Sequence, residues 1–546
     1  MRTTFLAMIA ALAASTAQAD TLIANINGIQ VDARGHIEHF GSILIDDDGR
    51  VARLGTDYPR YAAKHVVDGH GRTVLPGLID AHGHVIDLGF AALRLDVTGT
   101  RSVGELQQRL RDYAAAHPND TWITGFGWNQ ELWAEKRFPT SADLDAVVSD
   151  RPVVLERVDG HAVVANSAAL KAAGVTTATQ APPGGEIHDG VFIDNARELV
   201  DKAIPKPTLE QQDQALEKSQ EILLGYGVTA VGSMSTSLAD WDAFRRAGDA
   251  RRLNVRLMAY IGAAHAAEAN MRPTEWLYGD RLRAVGVKLF ADGALGSRGA
   301  WLKQPYSDKP DSRGLEFHSD AEMLSLADAA ASHGFQIATH AIGDAANAQI
   351  IGVYEVLSKK YGRDRRWRIE HFQIADPKDI PRLAPAGIIA SMQPTHQTSD
   401  RLMAEKRLGP GRLAGAYAWQ SVLKSGAKLA FGTDFPVESP NPFPGLAAAV
   451  SRQDTNGQPP GGWIPSERLT FEQALSAYTR GAAYAGFAED KVGALDPGKW
   501  ADFIIVDRDP TKVDAQALAQ TKVLQTWVAG KKVWERSAPS APERGR

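Results

Sequence analysis

Eight short, almost wholly apolar runs recur along the chain, separated by longer stretches of helical character. They are 73–82 (TVLPGLIDAH), 228–234 (VTAVGSM), 255–262 (VRLMAYIG), 284–292 (AVGVKLFAD), 335–340 (FQIATH), 367–372 (WRIEHF), 388–394 (IIASMQP) and 428–435 (KLAFGTDF). A strand with one wet face would alternate apolar and polar residues. These runs do not, so they read as strands covered on both faces, as in a parallel sheet wrapped by helices. Repeated βα units of this kind predict an α/β fold, a (β/α)8 TIM barrel over residues 73–491.

The interval between the first and second runs breaks the rhythm. Residues 86–207 are too many for one crossover and carry apolar runs of their own, such as RPVVLERV at 151–158. They predict a subdomain inserted after the first barrel strand, over one side of the mouth. Both ends of the chain alternate apolar and polar residues between turn residues: TLIANINGIQVD and SILIDDDGRVARLG early, VGALDPGKWADFIIVDRDP and VLQTWVAGKKVWE late. Neither end has enough strands to bury a face alone, so 20–72 and 492–536 are expected to form one small β-sandwich domain.

The first nineteen residues read as a signal peptide: a basic Arg2, an apolar stretch from Phe5 to Ala14, then Ala17-Gln18-Ala19 before Asp20. The apolar stretch is shorter than the roughly 20 residues of a bilayer span. Cleavage after Ala19 and a periplasmic or secreted protein, free of the membrane, are expected. Lys and Arg number 60 against 65 Asp and Glu, with no long run of one sign, which argues against nucleic acid and leaves a small molecule as the expected partner. Cys is absent, which excludes disulfides, thiolate metal sites and a cysteine nucleophile. Any metal must rest on His, carboxylate or modified Lys.

His82-Gly83-His84 closes the first run, and period-two alternation points both imidazoles the same way. Fifteen His in 546 residues would give roughly 0.4 such pairs by chance, so the pair alone decides little. Context decides more. Lys288 lies in the fourth run, His340 ends the fifth, His371 with Glu370 beside it ends the sixth, and Asp434 ends the eighth. The carboxyl ends of barrel strands share one face, so these six residues should converge at one mouth. Neutral imidazoles and a carboxylate suit Zn²⁺ or a similar divalent ion, one or two per chain. Such an ion lowers the pKa of bound water towards 7. Asp434 could both ligate it and carry the water's proton to the leaving group. An ammonium cannot ligate a cation. Lys288 is therefore either an ordinary lysine, paired with Asp292 or anchoring substrate, or a neutral amine that reacts with CO₂ to a carbamate able to bridge two ions.

PGLIDAHGHV, VKLFADGALGSRGA, ATHAIGD, RIEHFQ and GTDFPV follow one another in that order. With them the chain resembles the amidohydrolase superfamily, specifically its YtcJ-like (amidohydrolase-3) branch, which includes N-substituted formamide deformylases. The stretch GWNQELWAEKRFPTSADLDAVVSDRPVVLERVDGHAVVANSAAL and the ending GALDPGKWADFIIVDRDP are similar as well, so the resemblance covers essentially all of the chain after the leader. It implies a metal-dependent amidohydrolase acting on carbon–nitrogen bonds other than peptide bonds. Residue by residue it implies His82, His84 and Asp434 around one ion, Lys288 as a bridging carbamate, and His340 and His371 around a second. With one ion, His371 would instead polarise the substrate carbonyl and Lys288 would stay unmodified. The family resembled is compatible with a homodimer.

Substrate contacts are expected from Trp128, Asn129, His161 and Arg298, which sit in Gly-rich loops of the kind that carry function. Trp122, Trp128 and Trp133 could wall an apolar pocket for an aryl or alkyl substituent, or simply pack together. The expected reaction is attack of metal-bound hydroxide on the carbonyl of an amide, N-substituted formamide or cyclic amide. The second ion or His371 would stabilise the oxyanion, and Asp434 would shuttle the proton to nitrogen. The same site could open a lactone, ester or phosphoester. A non-catalytic extracytoplasmic binding protein is the third reading, and it would have no use for Asp434 as a shuttle.

Overall fold

The computed structural model describes residues 19–56, 63–157, 160, 162–182 and 185–537. The expected leader falls, except for Ala19, outside the described residues, and so does His161. Eight parallel strands pair in chain order: β1 (Leu78–Gly83), β2 (Val228–Thr236), β3 (Arg256–Gly262), β4 (Leu282–Phe290), β5 (Gln336–Ala341), β6 (Arg368–His371), β7 (Ile389–Met392) and β8 (Lys428–Phe431). They form the expected TIM barrel. Alternation is visible in β3: Met258 and Tyr260 join one apolar cluster, while Leu257, Ala259 and Ile261 join the larger cluster shared with the helices. Both faces are therefore dry, which is why the runs carry so few polar residues.

The seam between β8 and β1 closes just past the last strand. The Asp434 N–H donates to the His82 carbonyl and the His84 N–H to the Phe435 carbonyl, each at 2.8 Å. Buried Asp80 spans the same seam, taking the Thr433 N–H at 3.1 Å and the Thr433 hydroxyl at 2.6 Å. The opposite end of the barrel is stopped by the helix Arg480–Ala485, whose Ala485 carbonyl accepts from Tyr260 and Gln336.

The run 73–82, expected as one strand, is two. Thr73–Pro76 pairs with Asn27–Val31 and Phe503–Val506 in a six-stranded sheet, and only Leu78–Gly83 enters the barrel. The chain changes sheets at Gly77, where a Cβ would stand 2.3 Å from the Thr229 hydroxyl. The six-stranded sheet and a four-stranded sheet containing Ala19–Ala24 share a core of Ile23, Ile43, Val74, Phe503 and Trp527, drawn from both ends of the chain. A buried ion pair ties that unit to the barrel: Arg256 in β3 meets Asp502 through Nε–Oδ2 at 2.7 Å and Nη2–Oδ1 at 2.9 Å.

Between β1 and β2 a further six-stranded sheet, running from Leu95 to Asp194, encloses its own core of Leu106, Leu110, Ile123, Trp128, Trp133 and Leu155. The sequence puts the start of the insertion at 86. The helix Val85–Leu93 instead buries Val85, Ile86 and Leu88 in the barrel's cluster. No helix among the described residues is long and apolar enough to cross a membrane.

Candidate metal centre

The ends of β1, β4, β5, β6 and β8 bring polar side chains to one mouth. His82, His84, Lys288, His340, His371 and Asp434 all line one cavity of about 630 Å³. His82, at the end of β1, is fully buried, and its Nδ1 lies 2.6 Å from Glu370 Oε2. That carboxylate accepts a hydrogen bond from the Nδ1–H and leaves the Nε2 lone pair facing the cavity. Glu370 is itself fixed by Arg368, whose Nε reaches Oε1 at 2.7 Å and whose Nη2 reaches Oε2 at 3.0 Å. Arg368 in turn donates to Tyr260, Ser391 and the Ala81 carbonyl. Burial, then the Lys288 charge, pushes the His82 imidazolium down to about 4, so the ring is neutral at pH 7.

Asp434 stands three residues past β8 with φ +61°, and His371 ends β6 with φ +74°. Both occupy the left-handed region that side chains of this size rarely adopt, a strain that clusters at functional sites. Asp434 Oδ1 is 3.3 Å from His82 Nε2 and 3.2 Å from His84 Nε2. A tetrahedron with vertices about 2.0–2.1 Å from its centre has edges of about 3.3 Å. The two edges from Asp434 Oδ1 match that spacing, and ligand atoms of all three residues lie within 4.8 Å of one another, with the donor chemistry of a zinc-type site. Burial raises Asp434, but the surrounding imidazoles outweigh it and hold the carboxyl well below its usual range.

His371 is buried, and its Nδ1 faces Gln393 Oε1 at 3.0 Å, which again frees Nε2. His340 turns Nε2 towards the Gly293 carbonyl and Asp292 Oδ1, both at 3.5 Å, leaving Nδ1 free. Burial and Lys288 take His340 down to about 3, and burial with the neighbouring His340 holds His371 well below its ordinary value. Lys288 does not pair with Asp292. Its Nζ stands 3.3 Å from His82 Nε2, and burial lowers it to about 8 against the pull of Glu370 and Asp434. Asp292 instead accepts backbone N–H groups from Trp301, Ile342 and Gly343, which pin the loop after β4 to the end of β5.

Of the residues expected to touch substrate from loops, Trp128, Asn129 and Arg298 are described, and their side chains do not line this cavity. Trp128 is buried in the insertion's core and donates its indole N–H to the Leu155 carbonyl at 2.8 Å, with Trp133 and Phe138 against its ring. Asn129 follows it, partly buried, and neither borders the cavity. Residues 294–297 line the cavity, but Arg298 turns its guanidinium to Asp308, with Nη2–Oδ2 at 2.9 Å. Trp122 packs against the insertion's second cluster, so the three tryptophans are part of its cores.

Sequence reasoning missed His396. It sits on the first turn of the helix Pro394–Leu408, two residues past the seventh run, with Nε2 3.2 Å from Asp434 Oδ2 and Nδ1 3.4 Å from Glu438 Oε1. Burial would lower it, but hydrogen bonds to the two carboxylates prevail and raise it to about 10. Its signal was the rule already applied to the other strands: a polar residue just beyond the carboxyl end. Gln373, Asp400 and Glu438 complete the polar wall, and Phe290, Leu295, Ile342, Met403 and Val437 supply the apolar one.

The pattern that defines the amidohydrolase family matches residues 65–534. Protein LONG AFTER FAR-RED 3 of Arabidopsis thaliana is 34% identical over 490 residues, spanning 85% of this chain and 82% of that protein. An N-substituted formamide deformylase from Arthrobacter pascens is 28% identical over 96% of this chain and 99% of its own. Among solved structures, a metal-dependent hydrolase from Pyrococcus horikoshii OT3 superimposes with a TM-score of 0.78 at 29% identity, covering 91% of this chain and 99% of that one.

Proposed function

The chain belongs to the amidohydrolase family, and from that premise we propose that it is a metal-dependent hydrolase of a carbon–nitrogen bond in an amide, N-substituted formamide or cyclic amide. The observation that carries the reading is the approach of Asp434 Oδ1 to the Nε2 atoms of His82 and His84, at 3.3 and 3.2 Å, on the wall of the shared cavity. These residues would hold one divalent ion of the zinc type. His340 and His371 would hold a second, bridged through Lys288 once its neutral amine has added CO₂ and released a proton. That reaction would replace a buried cation among imidazoles with an anion, which suits a site for cations.

A divalent ion bound there supplies an acidified water and polarises a carbonyl. Asp434 takes the proton of the attacking water and delivers it to the nitrogen as the C–N bond breaks, so the amine leaves neutral and the acyl carbon keeps the hydroxyl. His371, with its Nδ1 proton held by Gln393, keeps its Nε2 lone pair for the second ion. The apolar wall of Phe290, Leu295, Ile342, Met403 and Val437 suits a substituent on nitrogen. The similarity to a protein named N-substituted formamide deformylase supports a formyl group on a substituted nitrogen. In this reading the enzyme works outside the cytoplasm after cleavage at Ala19, and a mature chain starting at Asp20 would support that.

The test is turnover by zinc-loaded protein of amide and ester pairs sharing one acyl group, with metal content measured on the same sample. Metal-dependent hydrolysis of N-substituted formamides in preference to esters is the expected result. Preference for the ester, lactone or phosphoester overturns the bond assignment. Tight binding without product from metal-replete protein overturns the enzyme.

A further inference from the structure

We propose that His396 is a positioning residue for Asp434: a clamp, braced by Glu438, that holds one carboxylate oxygen so that the other faces His82 and His84. The two oxygens of Asp434 divide their partners cleanly. Oδ1 lies 3.3 and 3.2 Å from the Nε2 atoms of His82 and His84, and Oδ2 lies 3.2 Å from His396 Nε2. The second ring nitrogen of His396 lies 3.4 Å from Glu438 Oε1, and that oxygen also accepts the Ser399 hydroxyl at 2.6 Å. The ring thus bridges two carboxylates, one on each nitrogen.

The clamp answers a mechanical need. The terminal torsion of an aspartate is broad and roughly two-fold, so an unheld carboxylate exchanges its oxygens and tilts away from any one partner. Asp434 has a further handicap, because it lies past the end of β8, in a loop with positive φ and outside the strand ladder. His396 comes from a different element: a fifteen-residue helix with Pro394 at its first position, in which Pro394, Thr395, His396 and Gln397 are all buried. A rigid element thus anchors the oxygen that faces away from His82 and His84, while the seam hydrogen bond to the His82 carbonyl anchors the backbone. Outer partners of this kind typically govern metal affinity or activity by 10–100-fold.

The inference rests on the proposed metal centre, yet its principal test needs no substrate. Zn²⁺ affinity of the full chain is measured by competition with a chromophoric chelator, together with zinc stoichiometry. His396→Leu should weaken zinc by 10–100-fold with stoichiometry unchanged. His396→Gln, whose amide nitrogen takes the place of Nε2, should recover most of the loss. Glu438→Gln should weaken binding by less than His396→Leu. Wild-type affinity in His396→Leu overturns the clamp, and so does loss of one whole equivalent of zinc, which would make His396 a ligand. If His396→Leu fails to fold, His396→Asn serves, because its amide stops short of Asp434; equal affinities of the Asn and Gln variants then overturn the proposal. Once a substrate is in hand, His396→Gln against His396→Asn should differ in kcat with KM unchanged, and a difference confined to KM would also sink it. Absence of turnover by the wild-type enzyme would reject the hydrolase and leave the affinity comparison standing.

Discussion

Glu370 Oε2 lies 2.6 Å from His82 Nδ1, with both side chains fully buried. Arg368 pairs with the same carboxylate, so one buried anion serves a buried cation on one side and fixes the tautomer of a candidate ligand on the other. Removing one partner of a buried pair costs about 3–5 kcal/mol, because the other charge is left uncompensated. Glu370→Gln should therefore lower stability by roughly that amount in urea unfolding and weaken zinc by about 10–100-fold. A variant of wild-type stability and zinc affinity would show that neither Arg368 nor His82 depends on this carboxylate.

Asp434→Asn keeps the shape of the side chain and one oxygen for His82 and His84, but the amide cannot take a proton from water. Much of the metal should remain while turnover falls by about 10²–10⁴-fold, the usual worth of a positioned base. Metal analysis and steady-state kinetics on one preparation check this. Near wild-type turnover would remove Asp434 from the proton path.

The barrel and most of its mouth were legible in the sequence, for a physical reason. Parallel strands covered on both faces must be apolar throughout, so a His, Lys or Asp at the end of such a run stands out. The failures have equally specific causes. The run 73–82 hid two strands, because nothing in an apolar stretch shows that the chain leaves one sheet at Pro76-Gly77 and enters another. His396 escaped because the seventh run ends at Pro394 with no titratable side chain of its own to mark the mouth, and the residue that serves lies two positions further on, in the first turn of the next helix. The tryptophans of the insertion misled because a core and an apolar pocket have the same composition; only the indole hydrogen bond of Trp128 to Leu155 separates the two. Arg298 was placed by its loop, and the loop does line the cavity, but Asp308 draws the guanidinium aside.

Placement of Trp128 in a core makes a prediction opposite to a substrate role. Trp128→Phe leaves the buried Leu155 carbonyl without its donor and should cost about 1–3 kcal/mol of stability. KM for any substrate should stay within roughly twofold, since the ring is walled off by Trp133 and Phe138. A variant of normal stability with a raised KM would return Trp128 to the mouth.

Asp509 joins the two ends of the chain. It accepts from Asn27, near the start, through Nδ2–Oδ2 at 3.0 Å, and from Thr511 and Lys512 beside it. Burial raises its carboxyl, but the hydrogen bonds from Thr511, Lys512 and Asn27 outweigh burial and bring it down to about 2. The unfolded chain holds the same group near 3.9 and so binds more protons than the folded one between about pH 4 and pH 2. Stability from Asp509 is therefore present in full above about pH 4 and is lost as pH falls towards 2. Asp509→Asn should be less stable than the wild type at pH 5, and the gap should narrow steadily as the pH is lowered to about 2.5, read from urea midpoints at each pH. A gap that stays constant over that range would mean that Asp509 acts through shape and neutral hydrogen bonding, with no contribution from its charge.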